Sequence, residues 1–456
     1  MEKRIEKDML GEKEIPGDVY WGIHTRRAME NFPLGGSPVS AELIKALAMV
    51  KKACAMANAD LGYLTPEKAR VIIAASEEIA AGKLNDQFPV DALQGGAGTS
   101  TNMNVNEVIA NRALELMGLT KGDHGRLDPL ADVNLHQSTN DVYPTALKVA
   151  MIFGVRCLSE TTAELQGAFQ RKEKEFATIV KLGRTEMQDA VPVTLGAEFS
   201  AMAEAIARDR WRTFKCEERL RVVNLGGTAV GTGLGSPRDY IFLVIEKLRD
   251  VTGLGLCRAE NLMGETAHAD SLIEVSGILK AHAVNTLKIS NDLRLMNMLG
   301  EIVLPSVQAG SSIMPGKVNP VIFEAASQVA LKVISLDALA TQAASISRGQ
   351  IIEFMPLLAD ALLGMTDLLI KTDRMLTAHI DGIKADEARC RFYVDRSRTL
   401  ITAFVPVLGY VRCEELIQEF DRSKQDDLRV FLDTKIGVDV VAKVLAPENL
   451  LGLGYR

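Results

Sequence analysis

Proline is missing from long stretches of this 456-residue sequence. None stands between Pro144 and Pro192, between Pro192 and Pro237, or between Pro237 and Pro305; the intervals Pro320–Pro356 and Pro356–Pro406 are equally free of it. An interior proline removes a helical hydrogen bond and clashes with the preceding turn. Its absence leaves room for helices well beyond the usual length of about 11–12 residues. Other absences exclude functions. The six cysteines, Cys54, Cys157, Cys216, Cys257, Cys390 and Cys413, include no C-x-x-C pair, so free thiols in a reducing compartment are expected. The six histidines form no H-E-x-x-H and no close pair, which argues against a dedicated zinc site. No apolar run follows the charged opening Met1–Asp8, so neither a secretory leader nor a membrane-spanning segment is expected, and the reading is a cytoplasmic protein without a membrane partner. Net charge is −7 with acidic and basic residues intermixed; without a basic stripe, nucleic acid is not an expected partner.

What is present is helical. At 47% hydrophobic and 24% charged, the chain is ordinary for a globular protein but too long for one compact core. Five long helices are expected between about 144 and 382, with 266–299 rich in Ala, Leu, Ile, Lys and Asn. Such helices bury their apolar stripes only along one another, so a bundle follows. Before them, Ser40 precedes an apolar stripe of Leu43, Leu47, Val50 and Cys54, while Thr65-Pro66 starts a helix that Gly82 ends. Arg4 to Pro16 alternates as in a short hairpin. From about 390 the pattern shortens into small helices, down to Gly454-Tyr455-Arg456.

Four polar stretches carrying glycine or short hydroxyl and amide side chains interrupt this pattern: Gly95–Asn104, His136–Asp141, Gly183–Ala190 and Gly310–Pro320. Taken singly, each has a plain alternative. The first reads as a helix-starting turn, the second as an N-cap, the third as a charged loop between helices. The fourth superficially suggests a phosphate loop, but five residues separate Gly310 from Gly316 and Val318 follows the lysine where Ser or Thr is needed. Gly231-x-Gly233-x-Gly235 also misses the dinucleotide fingerprint and lacks its strand–helix–strand context. Together the stretches supply neutral donors, one lysine, and no nucleophile–histidine–acid set. That suits holding carboxylates and a developing oxyanion rather than acyl or phosphoryl transfer.

Gly310-Ser-Ser-Ile-Met-Pro-Gly-Lys-Val-Asn-Pro320 resembles the signature loop of the aspartase/fumarase superfamily, and the other three stretches follow in that family's order and spacing. Within it, Arg4–Gly11, Trp21–Ala28 and Asp86–Ser100 are similar to the aspartase branch, over nearly the whole chain, although the C-terminus is some residues short of typical members. The resemblance implies an all-α, three-domain fold: 1–137 mostly helical, 138–388 a central long-helix bundle, 389–456 a small helical domain. It implies a homotetramer with a twenty-helix core and active sites shared by three subunits. The implied reaction is reversible anti elimination of ammonia from L-aspartate to fumarate through an aci-carboxylate. Ser311 would be the base. Thr99, Ser138, Thr139 and Ser312 would hold the β-carboxylate, Lys317, Asn319 and Thr185 the α-carboxylate, and Asn140 the amino group; an acidic chain needs such a local cation for a dianionic substrate. Gly310 and Gly316 would let the loop move. No metal or other cofactor is expected, although some relatives respond to divalent cations.

One position departs from the family. Glu186 stands where other members carry histidine or glutamine, and Glu324 matches a family carboxylate nearby. Either the two share a proton, or Glu186 faces the substrate ammonium, or the substrate is not plain aspartate, or the side chain simply points away. Fumarate hydration, elimination from another amino- or N-substituted succinate, and a non-catalytic protein reusing the fold are the competing readings.

Overall fold

Thr65 and Pro66 open one of the helices of the computed structural model, which describes residues 3–450. The Thr65 hydroxyl accepts from the Lys68 N–H and Pro66 occupies the first helical position. Gly82, at φ +80°, follows the helix end in the left-handed conformation that glycine adopts without strain. The expected hairpin is β1, Lys3–Asp8, paired antiparallel with β2, Gly11–Pro16. The helices that follow are α1 (Ile23–Asn31), α2 (Ala41–Asp60), α3 (Pro66–Ala80) and α4 (Thr99–Leu116). Ser40 does precede α2, but its side chain makes no capping bond.

The five long helices are α5 (Thr139–Glu175), α6 (Leu195–Leu220), α9 (Asp270–Leu299), α10 (Val321–Ile346) and α11 (Met355–Ile380), with α7 (Arg238–Thr252) and α8 (Leu262–Ala267) between α6 and α9. Short helices continue from Glu387 to Leu450. The last residues of the expected small-helix region, 451–456, lie outside the described residues. Strands are few: among the described residues they form four two-stranded ladders, so the fold is essentially all-α.

The chain groups into two compact units. One comprises the chain up to Leu158 with Arg212–Lys280 and Lys332–Leu368; the other comprises Ser159–Trp211, Ala281–Leu331 and the chain from Leu369 onward. All five long helices contribute residues to both.

In the first unit the apolar stripe of α2 is buried, and α2 packs against α3 and α7. Here α5 starts earlier than proline placement suggests. It begins at Thr139 and carries Pro144 inside. Pro144 has no N–H for the carbonyl one turn back, that of Asn140. The side-chain amide of Asn224 donates to that carbonyl instead, at 2.9 Å. A buried polar group thus keeps a partner despite the proline.

In the second unit Phe169, Phe176, Phe199, Leu293, Phe323 and Leu376 form a core between segments of the long helices. A second cluster around Phe404, Leu416, Phe420 and Leu432 joins the small C-terminal helices to Leu182. Buried charge also lies in this unit. His282 on α9 sits between Asp209 on α6 (3.1 Å) and Asp373 on α11 (2.9 Å). Thr162 on α5 donates to Asp373, so this cluster links four helices.

Candidate active site

The first two polar stretches converge in the first unit. Gly98, at φ +98°, precedes α4, and a Cβ there would lie 2.5 Å from the Tyr143 ring on α5. Only glycine lets the two helix starts approach this closely. The contact places Thr99, the exposed first residue of α4, beside the start of α5. One turn on, the Asn102 side chain donates to Thr139 Oγ1 at 3.2 Å.

The start of α5 is a reciprocal cap. Ser138 Oγ accepts from the Asn140 N–H, and Asp141 accepts from the Ser138 N–H at 2.9 Å. The capping reading holds at Ser138, and a hydroxyl oxygen that accepts in this way can still donate its own proton. The other carboxylate oxygen of Asp141 accepts from the N–H groups of Gly226 and Thr228, and Asn140 Nδ2 donates to the Ala229 carbonyl. Burial pushes the Asp141 carboxyl up to about 6, against the hydrogen bonds from Ser138, Thr228 and Gly226 that favour its charged form.

The third stretch is not a loop between helices. It is a β-hairpin of β3 (Val180–Thr185) and β4 (Gln188–Thr194) between α5 and α6. Thr185 pairs with Gln188, leaving Glu186 and Met187 as a two-residue turn at φ +52° and +62°. Such turns favour Asn-Gly because both residues take positive φ; here they are a glutamate and a methionine, both exposed. The turn is held from below. Arg184 donates to the fully buried Glu301 at 2.6 Å, and Lys181 pairs with Glu198 and Glu301. Among the described residues no ion pair or hydrogen bond engages the Glu186 carboxylate, and none joins it to the half-buried Glu324.

The fourth stretch, also in the second unit, is a pinched loop. The Gly310 N–H donates to the Lys317 carbonyl at 2.7 Å, and Asn319 Nδ2 donates to the Gly310 carbonyl at 2.9 Å. A Cβ on Gly310 would lie 2.7 Å from the Lys317 oxygen, so only glycine closes this neck. Inside the loop, Ser311 Oγ accepts from the N–H groups of Ile313 (3.2 Å) and Met314 (3.0 Å). Ser312, Gly316 and Lys317 are exposed, Gly316 has φ +82°, and no ion pair occupies the Lys317 ammonium among the described residues. No hydrogen bond or ion pair among the described residues links this loop to Thr185 or Glu186.

Sequence reasoning gave no role to the residues beneath these loops. Asp141 and Asn102 lie within the quoted stretches; the bond from Asp141 to the Ser138 N–H is a local cap, but nothing local says that Asp141 also binds Gly226 and Thr228 or that Asn102 reaches Asn134 and Thr139. Lys51 had a readable signal, because it falls four residues after Leu47 on the buried stripe of α2.

Donor-rich loops on a long-helix scaffold, with one serine whose oxygen receives two backbone amides, have the chemistry of a site that holds anions. The sequence profile of the lyase family matches residues 11–335, and the chain belongs to this family, within the aspartase/fumarase superfamily. It is 47% identical to an aspartate ammonia-lyase from Bacillus sp over 91% of this chain and 90% of that protein. It is 44% identical to the aspartate ammonia-lyase of Escherichia coli (strain K12) over 89% and 87%. Among solved structures, a fumarate lyase:delta crystallin from Brucella melitensis bound to cobalt has a TM-score of 0.93 at 43% identity, covering 98% of this chain and 99% of that one. A class II fumarase from Schistosoma mansoni has a TM-score of 0.89 at 30% identity, covering 98% of each chain.

Proposed function

We propose that the protein is a soluble, cytoplasmic aspartate ammonia-lyase that reversibly eliminates ammonia from L-aspartate to give fumarate. The observation that carries this reading is the pair of backbone N–H donors on Ser311 Oγ. A serine hydroxyl is a poor base; amide donors lower the cost of its alkoxide. In the proposed reaction the Ser311 alkoxide takes the proton from C3. The C–H electron pair moves into the β-carboxylate, which becomes a doubly charged aci-carboxylate. That dianion collapses to the double bond, the C2–N bond breaks, and ammonia leaves with its electron pair.

Thr99, Ser138, Thr139 and Ser312 would stabilise the dianion, each donor being worth roughly 3–4 kcal/mol by analogy with oxyanion holes. Lys317, Asn319 and Thr185 would hold the α-carboxylate and Asn140 the amino group, while Gly310 and Gly316 let the loop close. No metal or other cofactor takes part in this scheme.

The residues involved divide between the two units, which suits a homotetramer whose sites each draw on three subunits. The apolar window of α10, 28% buried within this chain, supports that assembly: helices from other copies would cover it in a twenty-helix core. We take 1–137, 138–388 and 389–456 as the domains. Incubation with L-aspartate, and separately with fumarate with and without ammonium, tests the reading by double-bond absorbance. Fumarate formed from aspartate, and consumed only with ammonium, is expected. Consumption of fumarate without ammonium would assign a hydratase instead.

A further inference from the structure

We propose that Lys51 is a positioning residue for this reaction, whose buried ammonium holds the 134–139 segment that presents Ser138 and Thr139. The inference rests on the function proposed above. Lys51 lies in the middle of α2 and is fully buried. An ammonium there is costly unless its hydrogen bonds are specific, and an apolar side chain of similar length would fill the space without that cost. Its partners are Asn134 Oδ1 and Gln137 Oε1, both at 2.8 Å.

These two residues flank the turn that leads into the start of α5. Asn134 Oδ1 also accepts from Asn102 Nδ2, which in turn contacts Thr139 Oγ1, both at 3.2 Å. One connected network therefore runs from Lys51 to a hydroxyl assigned to the β-carboxylate. The turn needs holding, because His136 adopts φ +61°, a region costly for residues other than glycine. Two turns along α2 from Lys51, Asn58 takes a second grip: Nδ2 donates to the Leu135 carbonyl and Oδ1 meets His136 Nδ1 at 2.7 Å. Lys51 and Asn58 lie seven residues apart and so on one helix face.

Specific hydrogen bonding gives Lys51 a role that packing alone does not. Asp141 is buried at the same helix start and binds the Ser138 N–H. Burial pulls the Lys51 ammonium down to about 7, while Cys54 and then Asp141 pull the other way. Without Lys51, the 134–139 segment would hold the Ser138 and Thr139 hydroxyls less rigidly against a ligand that gains negative charge during the reaction. The penalty would fall more on the doubly charged intermediate than on the bound substrate, and so on kcat more than on KM.

The test is steady-state kinetics of full-length Lys51→Met with thermal melting of the same samples. Wild-type turnover of aspartate separately tests the function on which the inference rests. Given that turnover, kcat is expected to fall about 10- to 100-fold, by analogy with removal of a hydrogen-bond partner behind a metal ligand. KM should stay within about threefold, with the folded fraction unchanged at the assay temperature. A kcat within twofold of wild type would overturn the assignment, as would a loss that tracks unfolding or falls equally on KM. Should Lys51→Met not fold, Asn134→Ser decides: it breaks the same network with the lysine in place, and the same kcat-selective loss supports the role while its absence overturns it.

Discussion

The side-chain amide of Asn224 donates to the backbone carbonyl of Asn140, the one acceptor that Pro144 leaves without its helical partner. Asn224 is buried and also reaches Thr266 and Thr145. Asn224→Ala should therefore lower stability by about 1–3 kcal/mol, the cost of an unsatisfied buried group, measured by urea unfolding. Adding Pro144→Ala restores a backbone N–H and should recover part of the loss. Equal stability of Asn224→Ala and wild type would show that the carbonyl does not need this donor.

Ser311→Ala should leave the melting temperature and the oligomeric state unchanged while removing nearly all turnover. Substantial residual activity would sink the base assignment. Lys317→Met should instead chiefly raise KM for aspartate, since its exposed ammonium has no ion-pair partner among the described residues; unchanged Michaelis behaviour would count against its carboxylate role.

Glu186 crowns the β3–β4 turn with its side chain exposed and in no ion pair among the described residues. Glu186→Gln removes the charge at nearly constant shape, and aspartate turnover should be preserved or improved. A collapse in activity would show that the carboxylate takes part, as contact to the substrate ammonium would require.

His282 is a stability determinant with a defined pH window. Its ring is buried between two aspartates; burial opposes the imidazolium, but Asp373 and Asp209 outweigh it and hold the group up at about 10 against an ordinary 6.5. The folded protein binds this proton more tightly than the unfolded chain, so its stabilisation is complete below about 6.5 and is lost as pH rises toward 10. His282→Gln removes the buried charge that lies between Asp209 and Asp373 and should cost about 3–5 kcal/mol near neutrality. Urea unfolding from pH 6 to 10 should show the gap between variant and wild type narrowing as pH rises. A constant gap would mean that the ring is neutral in the folded protein.

Local chemistry was enough to read much of this protein from its sequence. Proline spacing located the long helices, Thr65-Pro66 and Gly82 bounded α3, and alternation marked the opening hairpin, because each depends on residues a few positions apart. The glycine- and hydroxyl-bearing stretches were equally legible as donor-rich breaks, and the 310–320 motif carried the family. Tertiary structure alone decided the rest. The Glu186-Met187 turn has no turn-forming sequence; paired strands anchored through Arg184 and Glu301 impose its positive φ angles. Lys51 falls on the apolar stripe of α2, but its partners Asn134 and Gln137 are known only once the fold brings that turn to it. The charge on His282 depends on aspartates 73 and 91 residues away. Helix propensity and capping act over one turn of chain, whereas the energy of a buried charge depends on which distant groups the fold brings to it.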